Sequence, residues 1–108
     1  MRRHDLASAA AAGVVIGPPG WVDTDRATER GLTPNHVQVL TGVARGYTYR
    51  QIAGLLGMTP NGVHTRVGAL LRVMGARSQA EAVALCYDAG ILRTAVEREW
   101  RARMGLAA

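Results

Sequence analysis

The sequence predicts an all-α protein. From residue 37 onwards, apolar residues recur at three- and four-residue spacing, a capping residue precedes each periodic run, and a glycine follows it. No stretch alternates apolar and polar residues as a half-buried strand would. These signals agree on four successive helices, which we expect to form one domain over residues 31–92.

The first 30 residues are expected to form a mostly disordered, flexible tail. An Ala-rich stretch is followed by Gly-Pro-Pro-Gly at residues 17–20, which forbids a regular element there. Trp21 is the exception, because a lone large aromatic residue after such a turn is expected to dock on a core.

Threonine caps open the first two predicted helices. Thr33-Pro34 places proline at the first helical position, where its missing N–H costs nothing, and the helix runs to Arg45. The capping box Thr48–Gln51 opens a shorter helix that ends at Gly57. The residues expected to be buried are Val37, Leu40, Val43 and Ala44 in the first helix and Ile52, Ala53, Leu55 and Leu56 in the second.

The third and fourth helices repeat these signals. Thr59-Pro60 begins a helix that stops at Gly75, and Ser78–Glu81 forms a capping box for a helix that ends at Gly90. The residues expected inward are Val63, Val67, Leu70, Leu71 and Met74, then Val83, Ala84 and Tyr87. Beyond them, residues 93–108 form a basic extension, in which Arg93 to Met104 is a candidate fifth helix.

The positive charge of the chain is concentrated where acids are missing. The formal net charge is +5, and no Asp or Glu occurs between Arg30 and Ala80, although that segment contains six arginines. An anionic partner is therefore expected. The solvent side of the third helix also lacks acids and carries Asn61, His64, Thr65, Arg66, Gly68, Ala69 and Arg72.

A helix with such a face fits the major groove of B-DNA, which is about 12 Å wide and admits one α-helix. The second helix and the three-residue turn Gly57-Met58-Thr59 would hold it against the duplex, as in helix-turn-helix proteins. The pattern therefore predicts binding to double-stranded DNA.

Enzyme, metal and export functions find no support. The single Cys86 excludes an internal disulfide and suits a reducing cytosol, and with three histidines it forms no catalytic or metal-ligand spacing. The run Leu6 to Ile16 after two arginines resembles a signal peptide superficially, but it is mostly alanine and too short to span a membrane. We expect a cytoplasmic protein that needs no cofactor or metal and binds no membrane.

Motifs spread over all four helices resemble the LuxR-type, GerE-like helix-turn-helix domain. They are Leu32-Thr33-Pro34, Ala44-Arg45-Gly46, Gln51-Ile52-Ala53, Leu56-Gly57, Pro60-Asn61-Gly62-Val63 and the run from Gly75 to Val83. The resemblance covers residues 31–92. It implies a four-helix DNA-binding domain that reads DNA with its third helix, dimerises through its fourth, Ser78 to Ala89, and has no catalytic activity.

The resemblance also implies individual contacts. Base-reading positions fall on His64, Thr65 and Gly68, phosphate contacts on Thr59, Asn61, Arg66 and Arg72, and further candidate DNA contacts on Arg50 and Arg77. His64 and Gly68 stand where relatives usually place Lys or Arg, and His36 replaces the usual acid of the first helix. Sequence preference is therefore expected to be modest. Cys86 and Tyr87 are expected in packing or a dimer surface, and Arg93, Arg98, Arg101 and Arg103 on a solvated face.

The predicted function is a transcriptional regulator that binds double-stranded DNA with specific or semi-specific preference. The alternative is an interaction protein that pairs with a related regulator or with RNA polymerase and modulates its DNA binding. The bare cationic third helix favours the first function, because a pure inhibitor does not need such a face.

Overall fold

Six α-helices organise the computed structural model, which describes residues 16–106. They are α1 (Thr24–Glu29), α2 (Pro34–Ala44), α3 (Tyr49–Leu56), α4 (Pro60–Met74), α5 (Gln79–Asp88) and α6 (Ala95–Arg103). Residues 16–106 contain no strand, only an isolated antiparallel bridge between Val22 and Leu92. The all-α prediction is confirmed, with α2 to α5 as the four predicted helices of the domain and α4 as the third of them.

Local side-chain caps begin these helices. The hydroxyls of Thr33, Thr48 and Thr59 each accept a hydrogen bond from the backbone N–H three residues later. Gly57 and Gly75 end α3 and α4 in the left-handed region, at φ 66° and 65°, which glycine enters without a steric penalty. The predicted boundaries therefore follow the structure closely.

Two caps differ from the expected pattern. At α5, Ser78 accepts from Glu81 N–H, but the Glu81 carboxylate accepts from the N–H of Arg77 at 2.7 Å, so the predicted capping box is incomplete. At α2, His36 completes the box instead of an acid, because its Nδ1 accepts from Thr33 N–H at 3.0 Å. Burial lowers the pKa of His36, which favours the neutral ring that this bond requires.

The core is built around α4, which packs against α2, α3 and α5. Val63, Val67, Leu70 and Met74 are buried along one side of α4, as predicted. They meet a core that includes Leu40 of α2 and Ile52 of α3, both fully buried. This packing fixes the opposite side of α4 toward solvent.

Three predicted core positions are wrong. Leu55 is exposed, because it borders an open groove with Tyr47 and Gly54. Ala84 and Tyr87 are exposed as well, since α5 buries Ala82 and Cys86 instead. Residues 84 and 87 lie on the side of the helix away from that pair, at about 100° per residue.

Residues 16–30 pack on the domain, whereas the sequence predicted a tail over residues 1–30. Trp21 and Val22 are buried, and the Trp21 indole donates a hydrogen bond to the Tyr87 hydroxyl at 3.0 Å. Asp23 caps α1 by accepting from Arg26 N–H at 3.0 Å. The docking expected for Trp21 is present, and the Ala-rich part of the predicted tail lies outside the described residues.

Arg93 was expected on a solvated face, but this prediction is wrong, because Arg93 is only 4% exposed. Its guanidinium donates to Asp23 Oδ2 at 3.0 Å and to the Gly20 carbonyl at 3.2 Å. Burial alone would raise the pKa of Asp23, but hydrogen bonds from Arg26 and Arg93 and the charges of both arginines hold it below its ordinary value. The segments 16–30 and 91–93 therefore hold each other in place.

No helix within residues 16–106 has the length and apolar character needed to cross a membrane.

Candidate DNA-binding surface

The outer face of α4 brings most of the predicted contact residues together. Asn61, His64, Thr65 and Arg72 are exposed along it, while Gly68 is half-buried between them. Their spacing of three and four residues places them on one side of the helix, opposite the buried side. The first turn of α4 contains no acid, so the partial positive charge of this helix end is open to an anion.

The N-terminus of α4 is held in a fixed geometry. Thr59 Oγ1 accepts from Gly62 N–H at 3.0 Å. A Cβ added at Gly62 would lie 3.2 Å from Met58 Cε and 3.3 Å from Thr59 Oγ1, so glycine permits this close approach. The predicted phosphate contact at Thr59 therefore falls on a residue that also begins the helix.

Two predicted base-reading positions have distinct surroundings. Thr65 Oγ1 donates to the Asn61 carbonyl at 3.1 Å, so its hydroxyl hydrogen is used within the helix. A Cβ at Gly68 would lie 3.7 Å from Arg72 Nη1. The Arg72 guanidinium thus lies over the site of the missing side chain and brings a cation close to it.

Tyr49 connects His64 to the rest of the domain, a role that sequence reasoning missed. The Tyr49 and His64 ring centroids are 5.8 Å apart at an angle of 52°, and the Tyr49 hydroxyl accepts a hydrogen bond from Gln79 Nε2. One residue therefore links α3, α4 and α5 beside a predicted base-reading position. An aromatic residue at the first position of α3, flanked by polar residues, was the available signal.

Arg66 is less free than predicted. It is half-buried, and its Nη1 donates a long hydrogen bond, 3.5 Å, to Oε1 of Gln38 in α2. Gln38 itself is buried, and a polar residue among the apolar Val37, Val39 and Leu40 was the sequence signal for this contact. Because a hydrogen bond of this length is weak, the Arg66 guanidinium can exchange Gln38 for a phosphate.

Arg50 and Arg77 lie on neighbouring elements. Arg50 is exposed in the first turn of α3. Arg77, in the turn between α4 and α5, is also exposed and pairs with Glu81 at 3.3 Å. An exposed pair of this kind contributes only about 0–1 kcal/mol, so the Arg77 guanidinium can exchange Glu81 for a phosphate.

Cys86 lies away from this surface, fully buried in the core. Burial raises the pKa of its thiol to about 11, although the charge of Arg30 acts in the opposite direction. The thiol therefore stays protonated at neutral pH and serves in packing.

The unit formed by α3, the turn at residues 57–59 and α4 defines the class: a helix-turn-helix DNA-binding domain. The family model of bacterial regulatory proteins, luxR family (GerE), matches residues 30–86, just over half of the chain. The chain belongs to this family, which groups regulators and not enzymes, and the resemblance drawn from the sequence is confirmed. No curated protein and no solved structure matches the chain.

Proposed function

We propose that this protein is a cytoplasmic transcriptional regulator that binds double-stranded DNA with specific or semi-specific preference by inserting α4 into the major groove. The observation that carries the proposal is the exposed outer face of α4, where His64, Thr65 and Arg72 lie within a sequence segment free of acids. A helix of this width and charge fits a groove of about 12 Å.

The roles of the surface residues follow from their positions. His64, Thr65 and Gly68 would face the base edges, and the remaining predicted residues would contact phosphates: Arg50, Thr59, Asn61, Arg66, Arg72 and Arg77. Gly68 allows the helix backbone to approach the bases closely. Without Lys or Arg at positions 64 and 68, strong bidentate contacts to guanine are missing there, so preference among sequences would be modest.

Affinity would come mainly from phosphate neutralisation. Each phosphate contact made by an arginine releases counterions, so the binding constant falls with salt by a power of about 0.9 per contact. The arginines of the surface therefore predict steep salt dependence, and the modest base contacts predict a shallow ranking of DNA fragments.

The test is fluorescence anisotropy with a random 30-base-pair duplex and a pool of genomic fragments across salt concentrations. Arg72→Ala should weaken binding and lower the salt exponent by about one. The matched control is Arg26→Ala, which removes the same charge from α1, where Arg26 is also exposed. It should leave binding to both probes unchanged.

The outcome that opposes the proposal is equally clear. If neither probe binds at low salt, DNA reading by α4 is wrong, and the interaction protein that pairs with a related regulator or with RNA polymerase becomes the leading function. If both arginine variants weaken binding equally, the contact is diffuse and the assignment to α4 fails.

The homodimer that the resemblance implies, through Ser78 to Ala89, stays a prediction. The exposed side of α5 carries mainly small and polar residues: Ala80, Ala84, Tyr87 and Asp88. The C-terminal end of α5 is also contacted by the N-terminal segment, because Arg26 Nη1 donates to the Ala89 carbonyl at 3.4 Å and Trp21 bonds to Tyr87. These contacts reduce the area of α5 that a partner could cover.

A further inference from the structure

The last helix has an apolar face that no other part of residues 16–106 covers. Val96, Trp100 and Met104 are 76%, 48% and 61% exposed, and their spacing of four residues aligns them along one side of α6. Leu106, beyond the end of the helix, is 44% exposed and lines the cavity on the other side of α6. Together, Val96, Trp100 and Met104 form an exposed apolar stripe along α6.

The opposite side of α6 attaches the helix to the domain. Arg98 Nη1 donates to the Arg93 carbonyl at 3.0 Å, and Arg98 and Arg101 line a cavity of about 180 Å³ with Pro19 and Gly20. No residue of α6 is buried. Because a helix of this length is marginal in water without apolar packing, covering the stripe would stabilise it.

The charges beside the stripe indicate what covers it. Glu97 and Glu99 lie in the first half of α6, and Arg101 and Arg103 in the second. At about 100° per residue, Glu99 and Arg103 flank one side of the stripe, while Glu97 flanks the other and Arg101 lies between Glu97 and the cavity side.

This arrangement is complementary to an inverted copy of itself. In an antiparallel pair, the same flank of each helix meets its counterpart, with the acidic half of one beside the basic half of the other. In a parallel pair, opposite flanks would meet in register and place acid beside acid, which is unfavourable. The helix therefore fits a second copy of this chain in one orientation only.

We propose that two copies of this protein form a two-fold dimer through antiparallel pairing of α6. The axis passes near Trp100, Val96 faces Met104 of the partner subunit, and Glu99 pairs with Arg103 of the partner subunit. The interface lies outside the family match at residues 30–86 and differs from pairing through α5. It does not depend on DNA binding, so each proposal can fail without the other.

Sedimentation equilibrium of the full chain without DNA, over a wide concentration range, tests this interface. The wild type should show a monomer–dimer equilibrium, and Trp100→Ala should raise the dimer dissociation constant more than about tenfold, as loss of a central aromatic residue does. The matched control is Ala84→Glu on the exposed side of α5, which should leave the constant unchanged. A monomer at every concentration, or a dimer lost only in Ala84→Glu, overturns the proposal.

A charge exchange tests the orientation without removing apolar area. Glu99→Arg and Arg103→Glu should each weaken self-association several-fold, because like charges then meet across the axis. An equal mixture of the two variants should form a heterodimer at least as stable as the wild-type homodimer, since every pair is again complementary. If the mixture associates no better than either variant alone, antiparallel pairing through α6 is wrong.

Discussion

α4 and α6 each leave one face open to solvent, but the two faces differ in chemistry and in support. The open face of α4 is polar and free of acids, and its other side lies in the core. The open face of α6 is an apolar stripe between charges of both signs, and its other side is attached by the hydrogen bond from Arg98 to the Arg93 carbonyl. Under the two proposals, the acid-free face of α4 suits a polyanion. The apolar stripe of α6, flanked by charges of both signs, suits another protein chain.

The largest effect is expected from breaking the ion pair between Asp23 and Arg93, which supports the attachment of α6 to the domain. Asp23→Asn should keep the cap of α1, because Asn caps as well as Asp, yet leave buried Arg93 without its countercharge. Since Asp23 is partly exposed, we expect a loss of about 2–3 kcal/mol instead of the larger cost of a fully buried pair. Thermal unfolding followed by circular dichroism measures this loss.

The same ion pair gives a pH dependence of known sign. The pKa of Asp23 lies below its ordinary value in the folded state, so its contribution is complete above about pH 4 and is lost as pH falls through the folded value. The Asp23→Asn variant should lack this acid step. Amide exchange should also speed up in α6 before α4; equal acceleration in both helices would contradict a separate support.

Substitutions at Gly68 test whether the open face of α4 binds DNA. A Cβ at this position meets only Arg72 Nη1, at an ordinary 3.7 Å, so a side chain fits without strain. Gly68→Ala should stabilise the protein by about 1 kcal/mol through helix propensity. Gly68→Lys should add roughly tenfold tighter DNA binding, because it restores a cation on the groove face.

Gly68→Ala is thus the matched control for Gly68→Lys, since both gain helix propensity and only one gains charge. Chemical denaturation and anisotropy measure the two effects separately. DNA binding by Gly68→Lys equal to that by Gly68→Ala would mean that this position does not face the duplex.

A smaller effect concerns α2, on which α4 rests. The pKa of His36 is lowered by burial, so the neutral ring that accepts from Thr33 is favoured in the folded state. Stability should therefore be complete above the unfolded value of about 6.5 and decline as pH falls toward the folded value.

The loss should be about 0.5 kcal/mol, the lower end of the range for caps, because this end of the helix is accessible to water. His36→Gln keeps an acceptor at the same capping position and should abolish the pH dependence. Urea unfolding at pH 7.5 and pH 5.5 compares the two proteins. An unchanged pH profile in the variant would remove His36 as its cause.

The weakest effect is expected at Tyr49. Tyr49→Phe removes the acceptor for Gln79 but keeps the ring beside His64, so DNA affinity should fall less than about threefold, as for one exposed hydrogen bond. Tyr49→Ala removes both contacts and should weaken binding further. Anisotropy on the preferred fragment decides, and equal losses in the two variants would argue against positioning of His64 by the ring.

Helix boundaries and the exposed face of α4 could be predicted because their signals are local. A capping threonine and a terminal glycine act within one turn, and the inward positions of α4 follow from periodicity alone. The same periodicity that places the apolar residues of α4 inward also places Asn61, His64, Thr65 and Arg72 together on its opposite side. The family match supports the same unit.

What could not be predicted depends on contacts between distant residues. Asp23 and Arg93 are 70 positions apart in sequence, so neither residue alone signals burial. The inward side of α5 was misassigned because its alanines and Tyr87 are compatible with either face until the neighbouring segments are placed. The half-burial of Arg66 likewise depends on Gln38, a residue on another helix.

The bridge between Val22 and Leu92 joins two residues that both lie outside the family match at residues 30–86. The unit that folds is therefore longer than the unit that matches the family. A fragment trimmed to residues 31–92 would keep every helix of the matched domain. It would also lack Trp21, which donates a hydrogen bond to the Tyr87 hydroxyl, and would therefore expose apolar surface along α5. A fragment must therefore include residues 16–30 and Arg93 to retain this packing, and it must extend through Arg103 to retain α6 as well.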